Sequence, residues 1–185
     1  AESGDVIQVL PGEYHESLRI TTPDLTIIGM EYEGGHAMLN GFNKVLVQQL
    51  ETPISIEADH VTVEGFHIRQ FVGAGLIFRG RSGITLKNLD IEMDTSDAIR
   101  FEDSNEIRIE GCVVRSSGHI GISLRRCQGV VVSRCEVYNN GLGVEIEDGI
   151  KITLDGLSVH NNAMGIVLSS TKGDEGYAEH VIISS

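Results

Sequence analysis

Four candidate catalytic side chains lie between residues 94 and 119. Asp94 and Asp97 are three residues apart, Arg100 follows three residues later, and His119 lies 22 residues after Asp97. Two carboxylates and an imidazole can share the proton transfers that cleave a glycosidic bond, because one group donates a proton while another accepts one. The competing interpretation is structural, since aspartates at turns commonly bond to nearby backbone.

Arg125, Glu145 and Tyr138 are candidates for contacts with a sugar. An arginine can bind a uronate, a carboxylate can do so through Ca²⁺, and exposed aromatic rings favour sugar binding. Calcium could be held by Glu145, Glu147 and Asp148, although no calcium-loop motif accompanies them. The alternative is that Arg125 and the glutamates belong to charge pairs on the surface of the fold.

All of these residues lie in a repeat of 22–23 residues. The first strand of each repeat has apolar alternate positions and recurs at Val61–Val63, Ile84–Leu86, Ile107–Ile109, Val130–Val132 and Ile152–Leu154. Two more short strands follow in each repeat. This directional pattern predicts an all-β, right-handed parallel β-helix with three parallel sheets and about seven coils. Left-handed bends between the first two strands are expected at Gly65, Asn88, Gly111, Arg134 and Gly156.

Charged residues at outward positions support this register. Their sign alternates from coil to coil along three rows: Arg79, Glu102, Arg125 and Glu147; Arg69, Glu92 and Arg115; Glu64, Lys87 and Glu110. Stacked coils place opposite charges side by side, which stabilises the sheet by roughly 0.2–1 kcal/mol per pair. A slip of one residue would break all three rows at once.

Equivalent positions also predict two internal stacks. Cys112 and Cys135 occupy the same inward position in neighbouring coils, so their thiols should be buried. Asn139-Asn140 and Asn161-Asn162 repeat at a step of 22 residues, which predicts an amide ladder in a turn. Neither stack requires a catalytic explanation.

The repeat is interrupted near both ends. Leu25–Ile27 and Val181–Ile183 match first strands, but the steps to their neighbours are longer than one coil. We expect the extra residues in insertions near 42–53 and 171–178. Insertions in solenoids form loops and often carry binding sites.

The first residues carry a resemblance to a known superfamily. The stretches GDVIQVLPGEYHE (residues 4–16) and LTIIG (residues 25–29) resemble the first coil of pectin-lyase-like proteins, and the later coils are similar to their repeats. In that superfamily a short helix usually caps the first coil, and Ala1–Ser3 resembles the last turn of such a helix. The resemblance implies that residues 1–185 are a single β-helix domain, cut from a longer solenoid whose N-terminal cap is missing.

The superfamily includes pectate lyases, polygalacturonases, pectin methylesterases, alginate epimerases and non-catalytic repeat proteins, so the fold alone decides little about function. The resemblance implies an extracellular or periplasmic carbohydrate module that binds or cleaves acidic polysaccharide, as a hydrolase or lyase. A non-catalytic scaffold is the alternative. Asp94, Asp97 and His119 are similar to the Asp pair and Gly-His-Gly of a polygalacturonase. Here, however, the aspartates are not adjacent and Ile120 interrupts the Gly-His-Gly.

The amino-acid composition argues against several classes of binding partner and structure. The chain has 14 Lys plus Arg against 27 Asp plus Glu, a net charge of −13 without a basic tract, which argues against nucleic acid. Its apolar runs are too short to span a bilayer. Three cysteines are too few for a disulfide framework. Open coil edges could pair end to end with flanking domains or other chains.

Overall fold

Short strands of successive coils stack in parallel, as the repeat predicts. The computed structural model describes residues 1–43, 48–73, 75–94, 96–171 and 179–184. The first sheet consists of Val6–Val9, Thr26–Gly29, Thr62–Glu64, Thr85–Lys87, Arg108–Glu110, Gln128–Ser133, Ile150–Asp155 and Glu179–Ser184. The parallel β-helix of about seven coils is therefore confirmed.

The other two sheets follow the same order along the axis. The second sheet consists of Gly12–Tyr14, Gly35–Asn40, Phe66–Arg69, Asp90–Glu92, Val113–Arg115, Glu136–Tyr138 and Ser158–His160. The third sheet consists of Leu76–Arg79, Ile99–Glu102, Ile120–Arg125, Leu142–Glu147 and Met164–Ser169. Leu18–Ile20 pairs in parallel with Ile54–Ile56 as a separate pair of strands. The described residues form no helix of the length and apolarity needed to cross a membrane.

Apolar side chains stack inside the coils. In the first sheet, Val63, Leu86 and Ile109 lie in register on successive coils and are fully buried. Phe78 and Phe101 are neighbours in the third sheet, with ring centroids 4.7 Å apart and ring planes tilted by 44°. The period-2 alternation therefore predicts the core correctly, because each strand sends alternate side chains inward.

The bends between the first and second strands are left-handed, as predicted. The φ angles at these positions are 77° at Gly65, 51° at Asn88, 62° at Gly111, 52° at Arg134 and 59° at Gly156. Arg134 thus adopts the bend without being glycine. Its guanidinium forms an ion pair with Glu110 of the preceding coil.

The outward charge rows are in the predicted register. Neighbouring members form the ion pairs Arg79–Glu102 at 2.7 Å, Lys87–Glu64 at 3.3 Å and Arg115–Glu92 at 3.1 Å. The internal stacks are also present. Cys112 and Cys135 are buried free thiols, and Asn140 Nδ2 donates to Asn162 Oδ1 at 3.1 Å.

The position of the first insertion was predicted only in part. Phe42–Asn43 and Gln48–Gln49 form an antiparallel pair inside the expected segment, whose residues 44–47 lie outside the described part of the chain. The other extra residues form a second hairpin, in which Glu31–Tyr32 pairs antiparallel with residues 35–36. Val181 pairs with Ile152 as expected for a new coil, and residues 172–178 of the second insertion lie outside the described residues.

Candidate functional site

The turn between the second and third sheets brings Asp97 and His119 together. Ile99 pairs with Ile122, so the residues before them lie in adjacent turns of the stack. The side chain of Asp97 is fully buried, whereas 67% of the His119 side chain is exposed. The distance between His119 Nδ1 and Asp97 Oδ1 is 2.6 Å. The expected proximity of these two residues is therefore present in the structure.

Asp97 is surrounded by hydrogen-bond donors. Besides His119, the backbone N–H of Ile120 donates to Oδ1 at 3.1 Å, and Arg100 Nε donates to Oδ2 at 2.7 Å. A second bond runs from Arg100 Nη2 to the same oxygen. Such a set of donors suits the charged carboxylate, which only accepts. Nδ1 of His119 then carries the hydrogen, and Nε2 is left as the acceptor in the neutral ring.

Ser117 holds the turn in which His119 lies. Its buried hydroxyl is 2.6 Å from the carbonyl oxygen of Ser96, in the preceding coil, and 2.9 Å from that of Ile120. Its backbone N–H donates to Asn140 Oδ1 at 2.9 Å, which connects the turn to the amide ladder above it. The position of His119 is therefore fixed by neighbouring coils on both sides.

An open cleft of about 490 Å³ lies beside the imidazole. It is lined by His119 with Gly118, Ile120, Arg125, Gly141, Leu142, Glu145 and Met164. A Cβ on Gly141 would lie 2.7 Å from the carbonyl oxygen of His119, so this close approach of two backbones requires glycine.

Arg125 and Glu145 form the polar side of the cleft. Glu145 Oε2 accepts bonds from Arg125 Nε at 3.1 Å, from Arg125 Nη2 at 2.9 Å and from Ser123 Oγ at 2.9 Å. Glu147 lies 4.0 Å from the same guanidinium. Burial lowers the pKa of Arg125, but the bond to Glu145 and the charges of Glu145, Glu147 and Asp97 outweigh burial and raise the pKa overall. Both candidate binding residues thus lie at the cleft, already paired with each other.

Two candidates lie apart from this group. Asp94 is exposed in the turn before Asp97 and is not hydrogen-bonded to Asp97, Arg100 or His119 among the described contacts. Tyr138 is in the second sheet, where its ring stacks on His160 with centroids 5.1 Å apart. The structure therefore brings together Asp97, Arg100 and His119 on one side and Arg125 with Glu145 on the other.

Sequence reasoning missed the walls of the cleft. Gly141 and Leu142 lie one coil above His119 and Ile120, and Met164 lies one coil further. The step of 22 residues that relates these positions was visible in the sequence, but its significance depends on knowing that His119 points outward.

The side chains that the sequence suggests could bind a metal ion are Glu145, Glu147 and Asp148. Within the described residues, no group of three or more His, Cys, Asp or Glu side chains is arranged to hold a metal ion. Glu145 and Glu147 both form ion pairs with Arg125, whose guanidinium already supplies them with a positive charge. Calcium at Glu145, Glu147 and Asp148 therefore stays a prediction from the sequence.

Comparison with known proteins agrees with the observed architecture. A family model described as "Right handed beta helix region" matches residues 40–183. The chain belongs to this right-handed β-helix family. No sequence among curated proteins matches it. The right-handed β-helix predicted from the sequence is therefore confirmed.

Solved structures with the same fold are distant in sequence. A pectin methylesterase from Yersinia enterocolitica is 11% identical with a TM-score of 0.51, over 85% of this chain and 76% of that one. A candidate glycosyl hydrolase from Parabacteroides merdae is 12% identical with a TM-score of 0.50, over 86% and 80%. The A-module of a mannuronan C-5 epimerase from Azotobacter vinelandii is 15% identical with a TM-score of 0.48, over 99% and 62%. At these identities the likeness shows the fold alone.

Proposed function

We propose that the cleft beside His119 binds a polysaccharide and cleaves one of its glycosidic bonds, with His119 as the catalytic residue. The observation that carries the proposal is an exposed imidazole whose Nδ1 is 2.6 Å from a buried carboxylate, while its other nitrogen is available to an open cleft. A histidine held in this way is suited to proton transfer. The names of the pectin methylesterase and the glycosyl hydrolase with this fold point to the same class of substrate.

The residues around His119 take distinct roles in this proposal. His119 Nε2 accepts a proton, from water as its oxygen bonds to the anomeric carbon in a hydrolysis, or from a ring carbon in a β-elimination. The imidazolium then gives that proton to the leaving glycosidic oxygen as the C–O bond breaks. Asp97 is a positioning residue that keeps Nδ1 protonated and stabilises the imidazolium once it forms. Arg100 holds Asp97 in place through its paired bonds. Because Asp97 is fully buried, it does not touch the substrate, and the mechanism does not use a pair of aspartates.

The sequence-based candidate for the substrate is an acidic polysaccharide, with Arg125 and Glu145 contacting the sugar. Arg125 would then bind the uronate carboxylate, and Glu145 would accept bonds from sugar hydroxyls. The proposal includes both a hydrolase and a lyase, because the same base serves either reaction. Such a substrate also implies an extracellular or periplasmic protein, which fractionation of expressing cells would test.

Incubation with a panel of polysaccharides tests the proposal. Hydrolysis would release new reducing ends alone, and elimination would also produce an unsaturated sugar that absorbs ultraviolet light. His119→Ala should lower the rate by about 100-fold or more, whereas Asp94→Asn, which changes an exposed aspartate outside the hydrogen-bonded group, should retain it. Cleavage that survives His119→Ala, or the absence of cleavage and binding across the panel, would refute the proposal.

A non-catalytic scaffold is the second candidate. It is favoured by the outward charges, because most of them are already used in pairs between coils, such as Arg79–Glu102 and Arg115–Glu92. A scaffold needs those pairs and makes no use of an open nitrogen on His119. Charge-pair variants that alter assembly with a partner, together with His119→Ala that alters nothing, would support the scaffold.

A further inference from the structure

Every arginine on the outward face of the third sheet, and Arg126 in the turn after it, is already paired with a carboxylate. The ion pairs are Arg79–Glu102, Arg100–Asp97, Arg125–Glu145 and Arg126–Asp103. A fifth carboxylate, Glu147, is shared between Arg125 and Arg126 at 4.0 and 3.8 Å. Four cations therefore face five anions, and none of the four is left to receive an additional carboxylate.

The charged residues that line the cleft are likewise paired with each other. Of the residues that line it, only Arg125 and Glu145 carry full charges, and they bond to each other through two N–H donors. Glu145 makes all its recorded bonds through Oε2. Its other oxygen, Oε1, has no recorded partner among the described residues, so it can accept a bond from a sugar hydroxyl. A carboxylate of the substrate placed there would instead meet a like charge.

From this arrangement we infer that the cleft selects uncharged sugar units and rejects uronates, with Glu145 as the residue that sets the choice. The inference rests on the proposed function, because it concerns what the same cleft binds. It keeps the hydrolase form of that function and removes the lyase form, because β-elimination requires a uronate. An uncharged unit satisfies Glu145 Oε1 through a hydroxyl and leaves the Arg125 pair intact. A uronate must compete with Glu145 and Glu147 for Arg125 and pay the repulsion of both. The net charge of −13 adds to this repulsion at longer range.

The test uses pairs of oligosaccharides that differ only in charge. Uronate oligosaccharides and the same oligosaccharides after reduction of their carboxyl groups to alcohols are titrated into the protein by calorimetry. The wild type should bind the reduced, neutral member of a pair more tightly. Glu145→Gln should strengthen binding of the acidic member by about 10-fold, through loss of one nearby like charge, and should change binding of the neutral member little.

Glu147→Gln is the matched control. It removes the same charge from the same strand, but Glu147 does not line the cleft, so its effect on the acidic ligand should be smaller than that of Glu145→Gln. A measurement on the wild type alone supplements the variants. Because salt screens repulsion, affinity for the acidic member should rise between about 0.05 and 0.5 M NaCl, and affinity for the neutral member should stay level.

The outcomes separate the inference from the proposed function. Tighter binding of the acidic member by the wild type, or affinity for it that falls as salt is added, overturns the inference and leaves a glycan-binding cleft. Equal effects of Glu145→Gln and Glu147→Gln overturn the role of Glu145. Absence of binding by both members across all pairs removes the proposed function and the inference with it.

Discussion

Replacing Asp97 by asparagine tests the hydrogen-bonded group that positions His119. Asparagine keeps the shape of the side chain but replaces one acceptor oxygen by a donor NH₂. In the structure all four bonds to Asp97 come from donors: His119 Nδ1, the Ile120 N–H and two nitrogens of Arg100. Each oxygen of Asp97 accepts two of these bonds, so the NH₂ group of the asparagine must point at two other donors. Two bonds are therefore lost in either orientation of the amide.

The cost follows from burial. Hydrogen bonds to charged groups contribute about 1.5–3 kcal/mol each, but 20% of the Arg100 side chain is exposed, so water recovers part of the loss. We therefore expect the free energy of unfolding to fall by about 3 kcal/mol. In a chain of this length that lowers Tm by about 6–12 °C. Asp94→Asn makes the same chemical change at an exposed position nearby and should cost less than about 0.5 kcal/mol.

Thermal unfolding followed by circular dichroism measures this difference. A second readout separates positioning from stability, because the ¹⁵N shifts of the His119 ring report which nitrogen carries hydrogen. Wild type should show Nδ1–H, and Asp97→Asn should show a mixture or the other tautomer, with catalysis reduced about 100-fold or more. If Asp97→Asn is as stable as Asp94→Asn and keeps the wild-type tautomer, the hydrogen-bonded group does not position His119.

Three further predictions concern the fold around the site. Asn140→Ala removes the bonds to the Ser117 N–H, the Val114 carbonyl and Asn162, so the free energy of unfolding should fall by about 2–3 kcal/mol. Asn139→Gly, at the adjacent left-handed position, should change the free energy of unfolding little. Equal losses for the two variants in thermal melts would contradict the stabilising role of the amide ladder. At Arg134, whose φ is 52°, substitution by glycine should be nearly neutral and substitution by valine should cost about 1–2 kcal/mol in denaturant melts, because valine tolerates a left-handed φ poorly; the reverse order would refute the steric argument. Burial, then the charge of His36, lowers the pKa of His67 from 6.5, so the unfolded chain binds this proton more readily and the free energy of unfolding should fall as pH drops from about 7 to 5; a slope unchanged by His67→Gln would show that His67 does not contribute.

The coil architecture could be predicted from the sequence because a solenoid repeats its local rules. Inward positions such as Val63 and Leu86 recur at a constant step, and each bend needs a residue that tolerates positive φ, so the two signals confirm each other. The first insertion was divided differently from the prediction. The alternation of apolar and polar residues around Ala37 and Leu39 is the same whether the extra residues precede this strand or follow it. The position of the extra residues is decided only by the pairing of Ala37 with Phe66 and of Leu39 with Ile68.

Only those parts of the site that follow from the coil repeat could be predicted from the sequence. The coil step puts Ser96 next to His119 in the stack and therefore brings Asp97 near, which the structure confirms. The bond from Arg100 back to Asp97 was not predictable, because alternating charges on successive coils suggested pairing between coils rather than within one turn. The cleft was not predictable, because its lining by Gly141, Leu142 and Met164 becomes informative only when the direction of His119 is known.

Mapping a bound sugar by NMR tests the central claim most directly. Titration of a neutral oligosaccharide should shift the ring resonances of His119 and the methyl resonances of Leu142 and Met164 in a saturable way, because all three residues line the cleft. His160 is an exposed histidine on the second sheet and serves as the internal control. Saturable shifts at His119 with His160 unmoved are the predicted result. Shifts confined to His160 and Tyr138, or no shifts at His119 with any oligosaccharide, would contradict the account.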